Sequence, residues 1–140
     1  MTTTSEPSLV AGQHQGVLVT LKRDGRPQLS NIGYAYDRTT RTVRISVTDD
    51  RAKTRNLRRD PRASLHVSRK DFYAYQVVEG TVTLSEVTRD PRDDAAEELV
   101  ELYRAIAGEH PDWDEFRAAM IEENRLVVRL PVERVYGTAG

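Results

Sequence analysis

Short runs of alternating or branched apolar residues, closed by turn signals, fill most of this sequence and make strands its dominant element. The clearest is Thr42 to Thr48 (TVRISVT), where Val43, Ile45 and Val47 alternate with Arg44, Ser46 and Thr48. A period of two sets one group against a core and the other against solvent. Gly16 to Lys22 (GVLVTLK) is rich in branched residues and is followed by Asp24-Gly25, a hairpin signal because glycine takes the positive φ that the turn needs. The return strand spans Arg26 to Asp37, with Pro27 early in it, where a missing N–H is best tolerated. Ala63 to Ser68 and a long run from Phe72 to Val87 read as further strands, the second bent or bulged at Gly80. Arg125 to Val135, interrupted by Pro131, is the last.

Helices are fewer. The pattern predicts one just after Thr48 and two between Asp90 and Glu123. Asp90 is placed to cap the first of that pair, with Pro91 at its first position and acids in its first turn. Ala95, Leu99, Leu102, Tyr103 and Ile106 fall at helical spacing, giving an apolar face to cover a sheet. The next helix starts at Asp112, with Trp113, Phe116 and Met120 on one side. The order β-β-β-α-β-β-α-α-β is mainly β with an α cover, and 140 residues suit one domain, 1–140. A small six-stranded antiparallel barrel or a strongly curved sheet is the expected architecture. Residues 1–8 read as a disordered lead, and Leu9 to Gln15 as a turn or two of helix.

The helix after Thr48 carries the sharpest chemical signal. Arg51 to Ser64 (RAKTRNLRRDPRAS) has six basic residues in its first twelve positions and one acid. A helix beginning there offers unpaired backbone N–H groups and the positive end of its dipole, with Arg51, Lys53 and Thr54 in or beside the first turn. Those parts suit an anion, most naturally a phosphate. Arg55, Arg58, Arg59 and Arg62 also fit a plain solvated face. Polar residues on neighbouring strands, Gln28, Ser30, Asn31, Ser46 and Thr48, could line a flat, partly polar ligand whose phosphate rests on the helix start.

Elimination narrows the rest. The 21 basic and 22 acidic residues leave a net charge of -1, which gives no general attraction to nucleic acid or anionic membrane. No aromatic lies within the basic run, a second argument against nucleic acid. Cysteine is absent, so disulfides and thiolate chemistry are excluded. His14, His66 and His110 share no ligand spacing, so no metal site is expected. No nucleophile elbow, P-loop or dinucleotide fingerprint is present. Nothing resembles a leader or a membrane span, so a soluble cytoplasmic protein is expected. A cofactor would explain how a site without evident nucleophile or metal does chemistry.

The segments LVTLKRDGRPQLSNI, ISVTDDRAKTRNLRRDPRASLHV, VVEGTVTL and VVRLPVERVYG resemble the pyridoxamine-phosphate-oxidase-like split-barrel proteins, from about Gly16 to Gly137. The pairing of the DGRPQLSN strand with the RAKTRNL helix start resembles the actinobacterial branch that binds the deazaflavin coenzyme F420 rather than FMN. The resemblance implies a split β-barrel, six-stranded, antiparallel and Greek-key-like, in a homodimer with cofactor clefts at the subunit interface. It implies that Arg51, Lys53 and the Thr54 hydroxyl hold the cofactor phosphate, helped by the Asn56 amide, while Ser46, Val47 and Thr48 run beneath the ring. Gln28, Ser30 and Asn31 would face the ring from the adjacent strand. Tyr73 and Tyr75 match positions where the partner chain closes the cleft; relatives commonly carry a tryptophan near Tyr73, a departure that affects the substrate pocket. The implied activity is hydride transfer between reduced F420 and a conjugated small molecule, with Tyr75 a candidate proton donor. Two alternatives share the reading of the residues: an FMN-dependent oxidase or reductase on the same fold, and a non-catalytic cofactor carrier.

Overall fold

The computed structural model describes residues 6–138. Two antiparallel sheets make up most of it. The first has five strands in the order β2-β1-β5-β6-β9: β1 (Gln15–Leu21), β2 (Pro27–Gly33), β5 (Arg62–Ser68), β6 (Tyr75–Thr81) and β9 (Arg134–Gly137). The second has four in the order β3-β4-β8-β7: β3 (Ala35–Asp37), β4 (Thr42–Thr48), β7 (Thr83–Leu84) and β8 (Arg125–Pro131). Helices are α1 (Ser8–Ala11), α2 (Ala52–Arg59), α3 (Asp94–Ala107) and α4 (Trp113–Glu122).

The six expected strand runs become nine strands because three of them bend from one sheet into the other. β2 passes into β3 through Tyr34, β6 into β7 through Val82, and β8 into β9 through Val132 and Glu133. Each bend keeps its backbone groups paired: Tyr34 N–H donates to His14 C=O, Val82 N–H to Pro61 C=O and Glu133 N–H to Glu79 C=O. Gly80 is required at the second bend, where a Cβ would lie 2.0 Å from the Pro131 carbonyl oxygen. The expected hairpin at Asp24-Gly25 is present, with Gly25 at φ 88° and Lys22 N–H donating to Arg26 C=O over 2.8 Å. The sheets therefore wrap one core, a split barrel whose interior is filled by Leu18, Tyr34, Ile45, Leu65, Leu126 and Leu130, all 0% exposed.

Short helices close the barrel ends. Val10 of α1 is fully buried, and the Gln76 side-chain oxygen accepts from the N–H groups of Leu9 and Val10. Leu57 of α2 enters the core from the other side. The outer face of the four-stranded sheet is covered by α3 and α4, with Leu99, Val100 and Phe116 packed on Val127. Ile106, expected on that apolar face, is 38% exposed near the end of α3.

Two expectations need correction. The helix expected to begin at Asp90-Pro91 starts at Asp94, because Asp93 is the better cap. Its carboxylate accepts from Ala96 N–H at 2.8 Å and also from the N–H groups of Arg89 and Asp90, while Asp90-Pro91 forms the preceding turn. Of the lead expected to be disordered, residues 1–5 lie outside the described residues, but Glu6 is anchored by Tyr36 and Arg38. No helix among the described residues is long and apolar enough to cross a membrane.

Candidate functional site

The turn from β4 into α2 builds the site. The Thr48 carbonyl accepts from the Arg51 N–H at 3.3 Å and from the Thr54 hydroxyl at 2.7 Å, which folds the helix start back onto the strand end. Arg51 occupies the cap position without a side-chain bond to the helix, and no acid lies in the first turn. The first N–H groups and the dipole are thus left without a negative partner from the chain.

Lys53 projects from this turn and is 9% exposed. It makes no hydrogen bond or ion pair among the described residues, and its Nζ reaches solvent, since no buried side-chain nitrogen among them lacks a partner. Burial, and then the nearby charges of Arg51 and Arg125, hold its ammonium below the ordinary lysine range. Arg125 is the residue the sequence reading missed. It opens β8 opposite Thr48 and donates to Glu123 at 2.8 Å and to the Ser46 hydroxyl at 3.3 Å. Only the cross-strand register brings it here, and no local pattern around residue 125 announces that register.

Ser46 and Thr48 lie on the outer face of β4, on the same side as Arg125, whereas Val47 points into the core at 1% exposure. Val47 can offer a ligand only its backbone. β3 pairs with β4 only at Thr42 to Arg44, so the edge of β4 from Ile45 to Thr48 that faces away from β8 has no strand beside it. β2, which leads into β3, belongs to the other sheet. The barrel is split at this place.

The remaining expected residues separate. Gln28 and Ser30 are half-buried on the inward side of β2, and Gln28 shares a cavity of about 560 Å³ with Ala52, Arg55 and Asn56 of α2. Asn31 points to the opposite face of the strand, beside Val17 and His66, so it does not join Gln28 and Ser30. Alternation along a strand makes that separation unavoidable. Thr54 is fully buried, its hydroxyl used on Thr48. Asn56 is 7% exposed; its amide nitrogen donates to the Thr20 hydroxyl and its oxygen accepts from Arg59. Both side chains secure the helix against the barrel and turn no free group outward.

Tyr73 is 86% exposed at the tip joining β5 and β6. Tyr75 stacks on His66 with centroids 5.4 Å apart. Ser68 pairs with Tyr75 at one end of the hairpin and Arg62, next to α2, with Thr81 at the other, a separation of roughly 20 Å for a strand rising about 3.3 Å per residue. Within one chain neither tyrosine reaches the helix start. A second cavity, of about 600 Å³, lies between β3, β4 and α3, but there Glu98 is engaged by Arg44 and Arg129.

The geometry is thus a concentration of positive charge, including the unpaired ammonium of a mostly buried lysine side chain, at a break between two sheets. Known proteins share the fold. An F420 reductase superposes with a TM-score of 0.69 at 23% identity, covering 96% of this chain and 98% of that one. A conserved hypothetical protein of Mycobacterium tuberculosis gives 0.73 at 23%, covering 97% and 85%. A heme binding protein of Mycobacterium smegmatis gives 0.67 at 22%, covering 99% of this chain and 56% of that one. The sequence itself matches pyridoxamine 5'-phosphate oxidase over residues 7–139. Because that match runs through both sheets and every helix described above, the chain belongs to the pyridoxamine 5'-phosphate oxidase family.

Proposed function

We propose that this protein is a deazaflavin-dependent oxidoreductase, transferring a hydride between reduced coenzyme F420 and a conjugated small molecule. One observation carries the reading: the Lys53 side chain is nine-tenths buried and its solvent-reaching ammonium has no anionic partner among the described residues, beside Arg51 and Arg125 at an uncapped helix start. A cation partly desolvated and crowded by like charges is unfavourable unless something neutralises it. A phosphate would do so, and the open helix N–H groups and the Arg51 side chain fit its oxygens. The likeness to an F420 reductase supports the choice of cofactor.

In this reading Arg51 and Lys53 hold the phosphate and Arg125 adds the third charge. The unpaired edge of β4 from Ser46 to Thr48 supports the ring, with Gln28 and Ser30 across the split. Bound there, the deazaflavin supplies the hydride. The chain's own residues bind, orient and shield the reacting faces. FMN also carries a phosphate and is the alternative cofactor.

The same reading calls for a second copy of the chain. The outer face of the five-stranded sheet carries Leu29 at 59% and Tyr136 at 50% exposure, with Val17 and Val19 between them across the sheet. Phe72 and Tyr73 project beyond it at 83% and 86%. A homodimer would cover this face and bring Tyr73 and Tyr75 to the partner's cleft, where Tyr75 could supply the proton.

Titration of the purified protein with both cofactors tests the assignment. F420 is expected to bind more tightly than FMN at moderate ionic strength, and a redox screen with F420 then to show turnover. Tighter binding of FMN would overturn the deazaflavin reading, and binding of F420 without turnover of any conjugated acceptor would leave a carrier.

A further inference from the structure

On the far side of α2 from Lys53 lies a second concentration of charge. The turn of the β1–β2 hairpin and the exposed face of α2 form the walls of a cleft of about 560 Å³, lined by Lys22, Arg23, Gln28, Arg55, Arg58 and Arg59 among others. Five of these are cations, and no carboxylate is in the lining. The chain as a whole has a net charge of -1, so this is a local excess.

The two walls differ in how their charges are held. On the helix, Arg59 donates to the Leu21 carbonyl at 2.8 Å and to the Asn56 oxygen at 3.1 Å, which ties α2 to the hairpin base. Arg58 is paired with Asp49, and Arg55 donates to the Asp50 carbonyl. On the hairpin, the Lys22 and Arg23 side chains have no hydrogen bond or ion pair among the described residues. The nearest hairpin acid, Asp24, has its carboxylate accepting from the Arg26 N–H. One wall is therefore fixed and the other holds two uncommitted cations above it.

We propose that this cleft, which adjoins the proposed cofactor site through Gln28, is a second anion site whose cations are other than Arg51 and Lys53 and that takes an oligophosphate group such as the di- or triphosphate of a nucleotide. Several cations spread over two walls match several linked negative charges better than one, and guanidinium forks suit phosphate oxygens in pairs. No aromatic lines the cleft, so nothing there would stack on a base, and the phosphates alone would be recognised.

Calorimetric titration of the intact protein at low salt, with tripolyphosphate and orthophosphate as probes, tests this. Tripolyphosphate is expected to bind at least about tenfold more tightly than orthophosphate, and Lys22→Ala/Arg23→Ala to weaken it by about tenfold. Both substituted side chains are exposed, so an unchanged Tm should accompany the loss. Lys53→Ala is expected to leave tripolyphosphate affinity within about twofold. Equal affinity for the two probes, no effect of the hairpin variant, or a loss in Lys53→Ala as large as in the hairpin variant would overturn the proposal.

Discussion

Nothing among the described residues around the Lys53 ammonium favours its charge. The causes that depress it, burial first and the charges of Arg51 and Arg125 next, all work against the cation. In the cofactor-free protein Lys53→Met should therefore leave Tm unchanged or raise it. In the same variant cofactor affinity should fall about ten- to hundredfold, the loss of a charge-assisted contact of roughly 1.5 to 3 kcal/mol. Arg58 is the control: it is half-exposed and already paired with Asp49, so Arg58→Ala should cost the cofactor about 0–1 kcal/mol. Affinity and melting temperature measured side by side decide this, and equal losses in the two variants would mean that the basic run acts only as a charged surface.

Between elements, α3 is joined to the sheet by an ionic contact as well as by its apolar face. Glu98 of α3 accepts from Arg129 at 2.6 and 2.8 Å and from Arg44 at 3.0 Å, joining the helix to β8 and β4. Burial opposes its ionisation, but the two guanidinium groups outweigh burial and hold its carboxyl below the ordinary glutamate range. Its side chain is 18% exposed, so breaking the pair leaves two arginines poorly solvated. Glu98→Gln should cost about 2 kcal/mol and lower Tm by roughly 6–8 °C. The unfolded chain takes up this proton first as pH falls. The stabilisation is therefore complete above the ordinary carboxylate range and is lost as pH drops through the depressed folded value. Thermal melts of wild type and variant should converge as pH falls through that depressed value, and a gap that did not narrow on acidification would rule out the ion pair as the cause.

For the molecule as a whole, the proposed homodimer would use the outer face of the five-stranded sheet. Leu29, Val19, Ser64, Glu79 and Arg134 form one row across it, and Asn31, Val17, His66, Val77 and Tyr136 the next. Its apolar members are Leu29, Val17, Val19, Val77 and Tyr136, with Leu29 and Tyr136 half-exposed at the edges and Glu79 and Arg134 adding charge at one side. Light scattering at micromolar concentration should give twice the 15.9 kDa of the chain. Leu29→Glu/Tyr136→Glu should give a monomer with unaltered secondary structure, because each carboxylate would have to be desolvated in the interface. A wild-type monomer would remove the interface cleft from the proposed function.

The sequence by itself determined the strand runs, the hairpin at Asp24-Gly25 and the basic helix start. Each depends on neighbours a few residues away: alternation, turn chemistry, the dipole of one helix. The tertiary structure decided where strands bend and what meets at the site. The runs through Tyr34, Val82 and Val132 change sheet because the barrel must close, a demand that local propensity does not contain. Asp93 displaced Asp90 as a cap by gathering three backbone donors in the folded turn. Thr54, next to Lys53, and Asn56, one turn on, turned inward, where the Thr48 carbonyl and the Thr20 hydroxyl are their partners. Arg125, distant by 77 positions from Thr48, stands opposite it only through register, and register is set by how the two hydrophobic faces pack.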